Sequence, residues 1–238
     1  MSQRLGGRWV GMIMAEPGPE LVLYTHGLGD GSGLLADALR DQGAGVRVVR
    51  SEAVSRANLR TAFAEALDDA RVAIVAFAPA DRGAARPLLD WTPDDWRRCA
   101  DEPQLRLLEV LQGLRDALAG RSCSVVLLGA SIGMTGAANH AALATATEGQ
   151  RGLMKALARQ WGDSWRLNWV SVTAPLMFPD IGYGDIPEQC ELGEYTPPLG
   201  RRPDWADVAR TALMLAGQDA GGVTGQTVMV DGGEWMLP

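Results

Sequence analysis

Leu21-Val22-Leu23-Tyr24, running into Thr25-His26-Gly27-Leu28-Gly29-Asp30-Gly31-Ser32-Gly33, is the stretch that decides the fold. A short apolar run breaks into a glycine-rich turn. After it Leu34, Leu35, Ala38 and Leu39 recur at helical spacing, Gly43 ends the periodicity, and Val46-Arg47-Val48-Val49 resumes an apolar strand. The unit is strand, turn, helix, strand. Glycines at such a helix start let a phosphate approach the backbone N–H groups, and the spacing marks Gly27, Gly31 and Gly33 as the candidates.

The alternation continues to the end of the chain. A helix is expected over about 57–69. Val72-Ala73-Ile74-Val75-Ala76-Phe77 then reads as a strand that is apolar throughout, as expected where helices cover both faces of a parallel sheet. Further helices are expected near 103–119, 139–160 and 205–216, with strands at Ser124–Leu128, Leu167–Val172 and Thr227–Val230. This is an α/β chain, one Rossmann-like, doubly wound parallel sheet over residues 1–238, whose ligand crevice lies beyond the carboxyl ends of the strands. Residues 174–203 carry Pro175, Pro179, Pro187, Pro197, Pro198 and Pro203 with little apolar periodicity, and read as a lid or interface loop.

Composition narrows the partners. The net charge is −7, and no cluster of basic residues exists to hold a phosphate backbone, which argues against nucleic acid. No apolar run is long enough to span a bilayer and the first residues resemble no secretion signal, so a soluble, cytoplasmic protein is expected. Cys99, Cys123 and Cys190 are scattered, which suggests neither a disulfide framework nor a metal site.

Two family resemblances compete. A His-Gly after the first strand, together with Gly129-Ala130-Ser131-Ile132-Gly133, is similar to an α/β-hydrolase, with Ser131 on a nucleophile elbow. Such an enzyme needs a histidine base late in the chain, whereas the only histidines are His26 and His140. The chain more closely resembles the short-chain dehydrogenases/reductases. Gly200-Arg201-Arg202-Pro203-Asp204-Trp205-Ala206-Asp207-Val208-Ala209 and Val223-Thr224-Gly225-Gln226-Thr227-Val228-Met229-Val230-Asp231-Gly232-Gly233 follow that family's ending. Leu88 to Trp96 and Gly152 to Ala158 match two of its internal segments, so the resemblance extends over nearly the whole chain.

That resemblance implies a Tyr proton donor, a Lys four residues later, a Ser and an Asn. Ser131 falls at the serine. Leu143 falls at the Tyr position, Thr147 at the Lys position and Pro103 at the Asn. No shift of register helps, because Leu28, Pro187 and Leu199 stand four residues beyond Tyr24, Tyr183 and Tyr195, and Lys155 is the only lysine. It lies eight residues past Thr147, about 12 Å along a helix.

The implied cofactor site is altered as well. In a register set by the following helix, His26 and Ser32 replace family glycines, and their side chains are expected to crowd the phosphates. Phe77 is expected to intrude near the adenine-side ribose, and Arg50 is a strand-end charge that could meet a 2′-phosphate. Residues 50–71 leave room for one helix where the family has helix, strand and helix, so the sheet should be shortened between the family's second and fourth strands.

The resemblance therefore implies a non-catalytic subunit that binds no cofactor itself. It would pair, through helices 103–119 and 139–160, with an active short-chain dehydrogenase carrying NAD(P), or with a second copy. Heteromeric bacterial enzymes acting on CoA-thioester alcohols, as in benzylsuccinate degradation, are the pattern. The apolar end Trp235-Met236-Leu237-Pro238 would suit docking against a neighbour. Two alternatives stay open: a lyase, dehydratase or cyclase using His140 with Ser131, Tyr183 or Tyr195, and a regulator that senses a ligand in the crevice.

Overall fold

The computed structural model describes residues 18–50, 55–68, 70–78, 85–179, 181 and 197–235. Six parallel strands, β1 (Glu20–His26), β2 (Gly45–Arg50), β3 (Val72–Phe77), β4 (Cys123–Ala130), β5 (Trp165–Val172) and β6 (Thr227–Val230), lie in the order β2-β1-β3-β4-β5-β6. Two strands flank the first in opposite directions, so the chain reverses its winding beside β1, where ligands bind in such sheets. Among the described residues the connection from β2 to β3 holds one helix, α2 (Arg56–Leu67), as the short interval required, and β2 lies at the edge.

Helices cover both faces. Leu21 and Leu23 of β1 join a core shared with α1 (Gly31–Asp41) and α8 (Trp205–Ala216), while Val22 and Tyr24 point the other way, into a core shared with α2, α4 (Glu102–Leu118) and α6 (Ala141–Gln160). The period of two in a strand thus feeds both layers. β3 and β4 are buried along their whole length, which is why they read as unbroken hydrophobe. At Gly113 of α4 an added Cβ would stand 2.6 Å from the Leu59 Cβ, so this glycine sets how closely α2 and α4 approach.

Shorter elements fill the connections: α3 (Pro93–Trp96), a π turn over Arg97–Asp101, α5 (Ile132–Thr135) and α7 (Ala174–Met177). α7 occupies the start of the segment expected to be a loop. Of that segment, residues 180 and 182–196, which hold Tyr183, Cys190 and Tyr195, lie outside the described residues, as do Met236, Leu237 and Pro238. Cys99 and Cys123 are buried and join no disulfide among the described residues, and burial pushes the Cys123 thiol up to about 12, which leaves it unreactive. Among the described residues no helix is long and apolar enough to cross a membrane.

α8 begins with a reciprocal cap: Asp204 accepts from the Asp207 N–H and Asp207 from the Asp204 N–H. Hydrogen bonds from Arg201 above all, then from the Asp204 backbone and Arg210, hold the Asp207 carboxyl well below the usual carboxylate range. A depressed folded-state pKa contributes stability that is complete above the unfolded value, about 3.9, and is lost as pH falls below it. The stability gap between the protein and Asp207→Asn should therefore narrow on acidification below about pH 4. Urea titrations at several pH values would read it, and a constant gap would remove the assignment.

Candidate functional site

The carboxyl end of β1 opens into a cleft of about 430 Å³. The glycine turn forms one wall: Gly27 and Gly29 have positive φ (+69° and +54°), which a side chain would strain, and both line the cleft with Leu28, Asp30 and Gly31. Leu34 of α1, Leu176 and Met177 of α7, Pro179 and Trp205 of α8 complete it. Of the three glycines proposed for phosphate, Gly27 and Gly31 border the cleft. Gly31 has a packing reason as well, since an added Cβ would stand 3.1 Å from the Trp205 ring. Gly33 is not part of the lining, and a Cβ there would meet nothing within 4 Å.

The expected obstructions lie elsewhere. His26 faces the α2–α4 layer and stacks on Phe77, ring centroids 4.7 Å apart, away from the cleft. Phe77 is buried in that core and does not enter the cleft. Ser32 is buried too, its hydroxyl 2.7 Å from that of Thr25 beneath α1. The expected crowding is therefore corrected: strand alternation turns His26 and Phe77 to the opposite layer, and Ser32 is turned inward by a hydroxyl partner.

What the cleft presents instead is a carboxylate and apolar side chains. Asp30 is exposed at the start of α1 and makes no side-chain cap. The first-turn N–H groups of Gly31, Ser32 and Gly33 are spent on the carbonyls of Leu28, Gly29 and Asp30 at 3.0–3.2 Å. No arginine or lysine is among the described lining residues. Asp30 was visible in the quoted turn, and the apolar wall from α7 and α8 was not, because nothing local brings Leu176 and Trp205 to Leu34. The Arg50 side chain lies outside the described residues.

The catalytic end lies past β4. Ser131 follows that strand, 4% exposed, with its N–H donating to the Val172 carbonyl at 2.8 Å. Its backbone is ordinary right-handed helix (φ −69°, ψ −19°), not the strained turn of a nucleophile elbow. Leu143 is 1% exposed and belongs to the core beneath α1 and α8. Thr147, also 1% exposed, donates to the carbonyls of Leu143 and Ala144 in its own helix, both at 3.1 Å. α5 lies directly on this spot: an added Cβ at Gly133 would be 2.5 Å from the Thr147 hydroxyl. The two positions at which the resemblance expects a proton donor and its lysine are thus a packed contact between helices.

His140 stands just before α6, the expected helix start, but is buried rather than solvated. Its Nδ1 is 2.9 Å from the Ala138 carbonyl, to which the ring N–H donates. No hydrogen bond joins it to Ser131, so the pair needed for hydrolase or repurposed chemistry is not assembled. Pro103 opens α4 after the π turn, and its carbonyl accepts from Gln150 Nε2 at 3.3 Å. Lys155 is exposed on the far part of α6.

The sheet order, the glycine turn beside the reversal point and a serine just after β4 define a doubly wound scaffold of the dinucleotide-binding type. A family model described as enoyl-(acyl carrier protein) reductase matches residues 7–234, and the chain belongs to this branch of the short-chain dehydrogenases/reductases. A 3-oxoacyl-(acyl-carrier-protein) reductase of Pseudomonas aeruginosa is 34% identical over 130 residues, 53% of this chain and 50% of that protein. An acetoacetyl-CoA reductase of Shinella zoogloeoides is 29% identical over 152 residues, 61% of each. In these matches the chain spans only about half to three-fifths of the relatives' length. The crystal structure of the Bacillus cereus enoyl-acyl carrier protein reductase with NADP⁺ and indole naphthyridinone superposes with a TM-score of 0.73 at 19% identity, covering 93% of this chain and 98% of that one, which speaks to the fold alone.

Proposed function

We propose that this chain is a non-catalytic member of its family, a cytoplasmic subunit that pairs with an active NAD(P)-dependent short-chain dehydrogenase and stabilises or regulates it. The observation that carries the reading is the Leu143–Thr147 pair. A phenol and an ammonium on neighbouring helical turns are what the chemistry needs, because the ammonium favours the phenolate that exchanges the proton. Here an aliphatic side chain and a hydroxyl bonded to its own helix stand there, covered by α5. Ser131 alone supplies no proton relay.

NAD(P) does not fit the residues of the cleft. Asp30 would face a pyrophosphate with like charge, the first-turn N–H groups already have carbonyl acceptors, and no strand lies beyond β2 among the described residues to wall an adenosine. The redox cofactor then belongs to the partner. The names of the Pseudomonas and Shinella relatives, both reductases of acyl thioesters, support a partner that acts on a thioester-linked hydroxyacyl group. The outer faces of α4 and α6 are the proposed contact: Leu105 is 60% exposed there, beside a groove it forms with Gln104, Leu108 and Leu153.

The test has two arms. Titration calorimetry of the pure protein with NAD⁺, NADH, NADP⁺ and NADPH should give no binding, and acetoacetyl-CoA with NADH or NADPH should give no turnover. Co-expression with a paralogue that keeps the Tyr-x-x-x-Lys pair should yield one complex more active than the paralogue alone. Turnover by the isolated chain, or micromolar nucleotide binding, would overturn the proposal.

A further inference from the structure

An aspartate at a helix start ordinarily turns its carboxylate onto the first-turn N–H groups. Asp30 does not. Its backbone is already helical (φ −62°, ψ −26°), and the N–H groups it would have taken are bonded to the carbonyls of the glycine turn. Among the described residues its carboxylate has no hydrogen bond and no ion pair, and it stands exposed on the wall of the β1 cleft.

The other described side chains of that cleft carry no charge. Nor does the adjoining sequence offset Asp30: between Pro179, on the rim, and Arg201 stand Asp180, Asp185, Glu188, Glu191 and Glu194 and no basic residue. Beside the carboxylate the cleft offers apolar surface, since Leu34 is 57% exposed and Leu176 is half-buried. The Trp205 ring packs against Gly31, the next residue after Asp30, and so brings an indole to the same wall. A volume of about 430 Å³ falls within the range of small-molecule sites.

We propose that the cleft binds a small organic cation, a primary ammonium on a flat apolar body. The ammonium donates to the Asp30 carboxylate, and the body lies over Leu34 and Leu176 beside the Trp205 ring, an arrangement that suits a flat π system and a nearby positive charge. The inference rests on the reading that NAD(P) does not occupy this cleft, because the carboxylate that repels a pyrophosphate is the group that holds the ammonium.

The probe is 2-naphthylmethylammonium, titrated into the ¹⁵N-labelled full chain while the Gly31 amide and the Trp205 indole N–H are followed by NMR. A saturable shift of both signals is expected, with weaker binding of the neutral isostere 2-naphthylmethanol and no saturable shift from the anion 2-naphthoate. Asp30→Asn should weaken the ammonium by about threefold, the scale of an exposed ion pair, and leave the alcohol unchanged. Leu34→Gln, at an exposed position, should weaken both. Absence of a saturable shift from the ammonium, equal affinity for 2-naphthoate, or an Asp30→Asn chain that keeps its full preference for the ammonium over the alcohol would each overturn the site. NADH in the same titration separates this site from the subunit reading. If neither NADH nor the ammonium moves the two signals, the site falls and the reading stands, whereas a saturable shift from micromolar NADH would overturn both.

Discussion

Arg166→Met should lower the unfolding free energy by about 3 kcal/mol or more, because one guanidinium closes three pieces of chain at once. Its Nη1 donates to the carbonyls of Leu215, Ala220 and Val223 at 2.9, 3.0 and 3.2 Å, and its Nη2 to those of Ala216 and Gly217, both at 2.9 Å. These are the final carbonyls of α8, the short turn after it and the approach to β6, groups that a helix end leaves without partners. A positive charge there also meets the negative end of the helix dipole. Methionine keeps much of the stem's bulk and removes the donors. Lysine should recover only part of the loss, since one compact ammonium cannot span five acceptors. Urea denaturation measures it, and a change within about 0.5 kcal/mol for the methionine variant would mean that water replaces the guanidinium freely.

Gly129→Ala should cost a comparable amount, about 3 kcal/mol, from one added methyl group. A Cβ at this position would lie 2.0 and 2.3 Å from Cζ2 and Cη2 of the Trp169 indole, on the neighbouring strand β5. Trp169 is 1% exposed and set in the core, and both strands are central, so neither the ring nor the backbone can yield cheaply. The collision is specific and can be relieved from the other side. In the background of Trp169→Phe, whose smaller ring vacates the benzo edge, the same alanine should cost less by more than about 1 kcal/mol. A double-mutant cycle with no coupling would show that the glycine is kept for some other reason.

The same glycine explains why one reading of the sequence fails. Gly129-Ala130-Ser131-Ile132-Gly133 has the spacing of a nucleophile elbow, but its glycines answer to packing. Gly129 makes room for Trp169, and Gly133 lets α5 settle on Thr147. Neither partner is near in sequence, so the motif alone could not distinguish the two causes. The order of strands and helices was legible because its signals are local: α8 and β6 lie at residues 205–216 and 227–230, where apolar periodicity, an Asp-x-x-Asp cap and flanking glycines mark them.

Side-chain direction at the strand ends was not. Which layer His26 and Phe77 join depends on the parity of β1 and β3 against their neighbours, and matching these positions to the family's motifs, His26 through the helix that follows the turn and Phe77 through the segment after its strand, gave them to the wrong side. The cleft's charge sits on Asp30, one position from a glycine counted as phosphate-binding, and its apolar wall comes from residues more than 140 positions away, Leu176, Met177 and Trp205. The tolerance of the scaffold is visible at Pro103 too, where a π turn takes up the break that a proline forces on the helix ladder.

Ending the sheet at β2 has a consequence for the behaviour of the chain in a crowded solution. An outermost strand offers a row of peptide groups that can template another chain, and it is the place where sheets grow into aggregates. Arg47 stands in the middle of that strand, exposed, with its guanidinium held at 3.1 Å by the Ala66 carbonyl and at 3.4 Å by Asp68. A foreign strand laid along β2 would have to accommodate that anchored charge. Among the described side chains of β2, Arg47 is the charge that guards the edge, and colloidal stability, more than the folded structure, is where its removal would be felt.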